Sequence, residues 1–238
     1  MPRDRLILIG YPLKEAFDEK RLGAILEEAM KRFKPKSVSL TAPAIPFSLN
    51  DSLHPPSDHY YRLDLSDLSI RQKVRNMLTR AGRELSVGRR RDWGEEHKKM
   101  VYDFLKAHPV EEPTRLIFER IGEYLSASPT AWVFDARNKS GDLVAFDVGE
   151  FNPKDYVFFM FNFSSDALCA PGASDLLLFE MIQEAKREGK RYINLGLGIN
   201  PGITFFKKKW GGTAFLPYAF FVYRPPGREE LDTLFQKL

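Results

Sequence analysis

NFSSDALCAPGASDLLLFEMIQEAKREGKRYINLGLGINPGITFFKKKWGG, residues 162–212, is the stretch that decides the fold. It opens on the polar end of a strand, turns through Gly172, and enters a helix predicted from about Ser174 to Glu188. Leu177, Leu178, Met181, Ile182 and Ala185 stand at helical spacing, and Gly189 sits where a left-handed C-cap belongs. YINLGLG then reads as a buried strand ending in Gly196, Gly198 and Asn200, and ITFFKKKW reads as a short helix. A helix starting directly after a strand leaves its first N–H groups without helical partners. Together with the helix dipole, these attract an anion such as a pyrophosphate. The small residues Ala170, Gly172, Ala173 and Ser174 let a ligand approach that backbone. The same residues also describe an ordinary strand-to-helix turn capped by Ser174.

Upstream, AWVFDA, LVAFDVGEF and YVFFMFNFS are three successive strands. The turn sequences KSGD and NPKD are short enough to make them an antiparallel meander. Downstream, FLPYAFFVYR reads as the last strand and REELDTLFQKL as a short amphipathic helix. At the start, Leu6–Ile9 is a strand. Phe17, Ile25, Leu26, Ala29 and Phe33 mark a helix stopped by Pro35, and Ser37–Thr41 alternates again. Tyr60–Leu65 is a further strand after a proline-rich connection. A basic helix opens with Ser69 and Gln72 in capping-box spacing, a second follows Asp92 with Glu95, and a third from about Pro113 is expected to bury Leu116, Ile117, Ile121 and Leu125. The strand, helix and strand at the start match in order the later YVFFMFNF, the helix to Glu188 and RYINL.

At 43% hydrophobic over 238 residues the chain can bury a sizeable core. Its single cysteine, Cys169, excludes an internal disulfide and suits a reducing compartment, so a cytoplasmic location is expected. No apolar run approaches the length of a membrane-spanning helix, and the N-terminus has no leader-like cleavage site. The four histidines form no HxH or HExxH arrangement, so no metal site is expected. The net charge of +4 hides an uneven distribution. Arg71, Lys73, Arg75, Arg80, Arg83, Arg89, Arg90 and Arg91 oppose one Glu84, which is +7 between residues 71 and 91 and leaves −3 for the rest. Such a run is a solvated helix face, a docking surface for a polyanion such as tRNA, or a clamp for a donor's phosphates. Lys207, Lys208 and Lys209 add a second positive cluster, with Phe205 and Trp210 near enough to stack on a ring.

This order of elements resembles the GNAT superfamily of acyltransferases across roughly residues 70–224, in which a meander leads through a phosphate-cradling turn to a central helix, a strand, a short helix and a final strand. YYRLDLSDLSIRQKVRNMLTRAGRELSV, PGASDLLLFEMIQEAKREGKRYINLG and TFFKKKWGG look like recurrent segments of its Fem-type branch, which pairs two such folds and includes transferases that use aminoacyl-tRNA. The resemblance implies an α/β (mixed α+β) fold with a largely antiparallel central sheet flanked by helices. Residues 1–65 would be a partial first unit and residues 66–238 the acyltransferase domain. It further implies an acyl-CoA donor, or aminoacyl-tRNA held through Arg71, Arg75, Arg80, Arg83, Arg89, Arg90 and Arg91, and a small-molecule or peptide amine as acceptor. Cys169-Ala170-Pro171-Gly172-Ala173-Ser174 keeps the Gly of the superfamily's diphosphate pattern but lacks its Gln or Arg head. Phe206 stands where a proton-donating Tyr is common.

Amine acylation needs a base and tight positioning. Asp166 after the third strand is the first candidate, then Glu150, with Asp147 also on the meander. Tyr218 and Tyr223 are candidate acids. Ala170, Gly172, Ala173, Ser174, Asn200, Phe205, Lys208 and Trp210 are the expected donor-binding residues, although Asn200 could equally cap the turn at Pro201-Gly202. Two rival readings are a binding module that keeps the fold without the reaction, and a subunit that self-associates, for instance as a homodimer, through the C-terminal helix.

Overall fold

A computed structural model describes residues 5–12, 15–46 and 57–223. The chain divides into two units, one taking the residues up to Tyr60 and those from Ala214 on, the other Tyr61–Thr213.

The first unit holds β1 (Arg5–Ile9), α1 (Glu19–Phe33), β2 (Ser37–Ala42) and, from the far end of the chain, β9 (Thr213–Tyr223). β1 and β2 are parallel, with Leu8 opposite Leu40. β9 pairs antiparallel with β2, with Phe221 opposite Leu40, and Ala219 joins the core of Leu22, Leu26, Val38 and Leu40. The sequence division at residue 65 had kept this strand with the second domain. Asp18 caps α1 by accepting from the N–H of Lys20 and Arg21. The helix packs through Leu22, Gly23 and Leu26, while Ile25 and Phe33, expected on its inner face, stay exposed. The packing is close: a Cβ on Gly10 would stand 2.9 Å from Leu22.

The second unit contains the second half of β3 (Ser57–Asp64), then α2 (Gln72–Glu84), β4 (Ser86–Arg90), α3 (Glu95–Ala107), α4 (Glu112–Glu119) and α5 (Ile121–Ala127). After these come β5 (Ala131–Arg137), β6 (Leu143–Glu150), β7 (Tyr156–Ser164), α6 (Ala173–Arg187), β8 (Tyr192–Leu197) and α7 (Pro201–Lys209). Its strand order is β3-β8-β7-β6-β5-β4. The meander β5-β6-β7 is antiparallel as its turns require, and β7 and β8, joined through α6, are parallel. One face packs Leu177, Leu178, Met181 and Ile182 of α6 on Phe134, Val157, Ile193 and Leu195. The other packs Met100, Val101, Leu105, Ile121 and Leu125 on Val133, Phe146, Val148 and Phe163. Each such side chain contributes about 2 kcal/mol by leaving water.

Three local expectations change. Ser69 caps nothing, because α2 starts only at Gln72 and its N-cap, Arg71, makes no side-chain cap. α3 is capped not by Asp92 and Glu95 but by His97, whose Nδ1 accepts the Gly94 N–H at 3.1 Å. The third helix breaks into α4 and α5 at Arg120, which turns Leu116 and Ile117 out to 52% and 55% exposure. The C-terminal amphipathic segment lies outside the described residues.

Candidate functional site

β7 and β8 pair at only three positions, from Tyr156 opposite Tyr192 to Phe158 opposite Asn194. β7 nevertheless continues to Ser164 and β8 to Leu197, so the two parallel strands fork. Just past the fork, β7 carries a bulge. Val148 of β6 faces Phe161 and Gly149 faces Phe159, so Met160 is the extra residue and the strand bends there.

Lys207 of α7 reaches this fork. Its side chain is 3% exposed, its Nζ donates to the Leu197 carbonyl, and it lies over the Tyr61 ring at 5.8 Å. A Cβ placed on Gly196 would stand 3.8 Å from Lys207 Nζ and 3.7 Å from the Phe159 carbonyl. Gly196 has a φ of 75°, a left-handed value that favours glycine. Lys207 belongs to the second positive cluster of the sequence, of which only Lys208 was expected to bind the donor. The spacing Ile203, Phe206, Lys207, Trp210 on one helical stripe was the available sign that it points inward.

α6 forms the next wall. Gly172 is its left-handed N-cap at φ 86°, and Met77 and Ala81 of α2 pack against it, leaving no room for a Cβ. The Ala173 N–H is satisfied by the Ala170 carbonyl at 3.1 Å. Among the described residues the N–H groups of Ser174 and Asp175 have no acceptor, so two of the predicted free amides are there. The Asp175 carboxylate is nonetheless internal to the protein. It accepts from Trp210 Nε1 at 2.8 Å and pairs with Lys209 Nζ at 2.6 Å. Trp210 is therefore a buried core residue and not a stacking platform. Phe205 and Lys208 are exposed, and Asn200 spends its Oδ1 capping the Ile203 N–H of α7 at 2.9 Å. Between β8 and α7, Ile199 adopts a φ of 60°, a strained value for a β-branched residue.

Of the three predicted catalytic residues, Glu150 and Asp166 have different surroundings within the second unit, and Tyr218 belongs to the first. Glu150 is half-buried at the end of β6. Burial pushes its carboxyl up, but hydrogen bonds from Ser128, Thr130, Tyr124 and the Asn152 N–H outweigh this and hold it at about 2. Such a carboxylate takes no proton near neutrality. Asp166 lines a separate cavity of about 510 Å³ with Glu96, Lys99, Asp103, Asp142 and Leu168. Tyr218 belongs to the first unit, where its ring meets Tyr60 edge-on at 5.9 Å and burial raises its phenol. Asp147 is fully buried on β6 facing α6, and burial holds its carboxyl well above the usual range.

The arginine run splits in two. Arg71, Arg75, Arg80 and Arg83 line the outside of α2, where none has an ion pair among the described residues. Arg89 and Arg90 of β4 and Arg91 just after it each have a partner within the protein. Arg89 lies 3.9 Å over the Trp132 ring and pairs with Glu184 and Glu188, Arg90 faces Asp135 at 3.5 Å, and Arg91 donates to the Ser128 carbonyl at 2.8 Å. Arg89 is thereby held against α6 and the sheet, whereas Arg90 and Arg91 keep exposed side chains and stay available, with the helical half of the run, to a polyanion.

Known structures share this fold. L-PGS from Bacillus licheniformis is similar at a TM-score of 0.60 over 97% of this chain and 81% of that one, with 15% identity. A GCN5-related N-acetyltransferase from Kribbella flavida is similar at 0.54, covering 93% and 82% at 13% identity. The chain has a GNAT-like fold. FemX extends the likeness, at a TM-score of 0.58 over 95% of this chain and 82% of that one with 10% identity. At these identities the likeness is one of fold. No protein-family model and no curated protein matches the sequence. Within the GNAT-like fold, β5-β6-β7 is the expected meander, α6 the central helix, and the fork beside Lys207 the place where the sheet opens.

Proposed function

We propose that this protein transfers an acyl or aminoacyl group to an amine, with the donor seated in the fork between β7 and β8. The observation that carries this reading is the buried Lys207 ammonium at the point where the strands part. An amine attacking an acyl carbonyl builds negative charge on the carbonyl oxygen, and a fixed cation in a water-poor cleft stabilises that charge far more than water does. The free N–H groups of Ser174 and Asp175 lie at the start of α6, where a donor's phosphate would meet the positive end of the helix. Lys209 neutralises Asp175, which lowers the repulsion that carboxylate would offer. The likeness to transferases of the same fold supports the reaction class.

Acyl-CoA is the first donor on this reading. The unpaired cations of α2 favour a second, aminoacyl-tRNA, because a row of exposed arginines suits a long polyanion better than one diphosphate. Calorimetry with acetyl-CoA and with charged tRNA at several salt concentrations separates them. Heat from acetyl-CoA with weak salt dependence is the expected result. No heat from it, with steeply salt-dependent tRNA binding, reverses the order, and neither binding would end the proposal.

A further inference from the structure

Asp147, Asn162 and Ser174 form a hydrogen-bonded chain from the middle of the sheet to the first turn of α6. Asn162 Nδ2 donates to Asp147 Oδ1 at 2.5 Å, and Ser174 Oγ donates to Asn162 Oδ1 at 3.1 Å. Asp147 Oδ2 is buried and has no hydrogen-bond partner among the described residues. No step above uses this group. We propose that Asp147 is a positioning residue: through Asn162 it decides whether the Ser174 hydroxyl offers its proton or only its lone pairs to an anion at the first turn of α6. This rests on the reading that the turn receives a donor's phosphate.

The argument is one of proton counting. In the arrangement described, the single Ser174 hydroxyl proton is spent on Asn162, and an anion meeting the free Ser174 and Asp175 amides finds oxygen lone pairs beside them. Turning the Asn162 amide over exchanges its two ends. Asp147 Oδ1 then donates its proton to Asn162 Oδ1, Asn162 Nδ2 donates to Ser174 Oγ, and the Ser174 proton is released to act as a third donor to the anion. Every proton is accounted for, and the atom left without a partner becomes a carbonyl oxygen instead of a buried O–H. Only a neutral carboxyl allows this, because a carboxylate has no proton to give.

The surroundings favour its neutral form. Phe134 and Asn162 flank Asp147 in the sheet, and the residues α6 buries are apolar apart from Asp175, which Lys209 and Trp210 hold. Burial raises the carboxyl, opposed only by the Asn162 hydrogen bond.

The test is sulfate binding, followed by amide NMR between pH 5 and 9 in the full chain, since sulfate keeps its charge throughout. Sulfate should shift the Ser174 and Asp175 amides. Wild-type affinity should fall about tenfold as the Asp147 carboxyl resonance reports ionisation, while Asp147→Asn keeps its low-pH affinity. Ser174→Ala should show no pH dependence and bind about tenfold more weakly than wild type wherever Asp147 is neutral, and this must hold even if Asp147 stays neutral across the range. Shifts at both amides with Ser174→Ala binding as tightly as wild type, or with wild-type affinity unmoved as Asp147 ionises, overturn the proposal while leaving the anion site intact. No shift at either amide overturns both.

Discussion

Replacing Glu150 by Gln tests whether its carboxylate is an anchor or a catalytic base. The folded protein holds this group at about 2 against an ordinary value of 4.5, because Ser128, Thr130, Tyr124 and the Asn152 N–H all hydrogen-bond to it despite its burial. At 1.36 kcal/mol per pKa unit the difference is about 3 kcal/mol, and solvent at this half-buried site reduces it to about 1–2 kcal/mol. The folded value is depressed, so the stabilisation is full above pH 4.5 and fades as the pH falls towards 2. Glu150→Gln should therefore melt about 3–6 °C below wild type at pH 7, with the gap narrowing steadily below pH 4.5 and closing as the pH falls through about 2, as read by calorimetric or circular-dichroism melting. Transfer activity should survive at a temperature where both proteins are folded. Equal melting points at pH 7, or a gap that does not close in acid, would refute the anchoring argument and return Glu150 to the list of candidate bases.

Asp147→Asn should act with the opposite pH sign. The carboxyl is raised in the fold, so its stabilisation is full below pH 3.8 and declines with rising pH, and the variant should gain on wild type steadily from pH 4 to pH 8 in the same melting experiment. A constant gap would count against a buried neutral acid. Ile199→Gly should stabilise the fold by about 1 kcal/mol in urea denaturation, because it relieves a left-handed β-branched residue that is 73% exposed; a net loss would mean that the side chain packs more than its exposure implies. Arg89→Ala should cost on the order of 2–3 kcal/mol, since it takes a partner from Glu188, leaves Glu184 only the exposed Arg187, and removes the cation over Trp132, whereas Arg80→Ala should stay within about 0.5 kcal/mol. Similar costs for the two would mean the arginine run does not divide as described.

Much of this fold is written in local pattern. The meander, α6 with its Gly189 cap and the strand-helix-strand echo follow from periodicity and turn chemistry, because the residues that make those elements also make their core. Partner choice over long range is not written locally. Nothing in FLPYAFFVYR says that Phe221 pairs with Leu40 some 180 positions away in sequence, so the last strand was grouped with the wrong neighbours. The site shows the same limit. Gly172 and the free amides of α6 were legible from the turn, whereas Glu150 looked like a free carboxylate because its partners Tyr124 and Ser128 lie on and just after a different helix. Lys207 was hidden in a run of three lysines, of which the helix buries one, exposes one and pairs one with Asp175. Trp210 was read as a surface ring because its hydrogen-bond acceptor, Asp175, is 35 residues away.

The account stands on a buried cation that meets a developing negative charge where β7 and β8 separate. Acyl transfer from acetyl-CoA and from aminoacyl-tRNA to a panel of amines, measured for wild type and Lys207→Met at equal folded fraction, tests this most directly. The expected result is a fall of at least about a hundredfold in kcat with donor affinity changed far less. Transfer at the wild-type rate by Lys207→Met would contradict it.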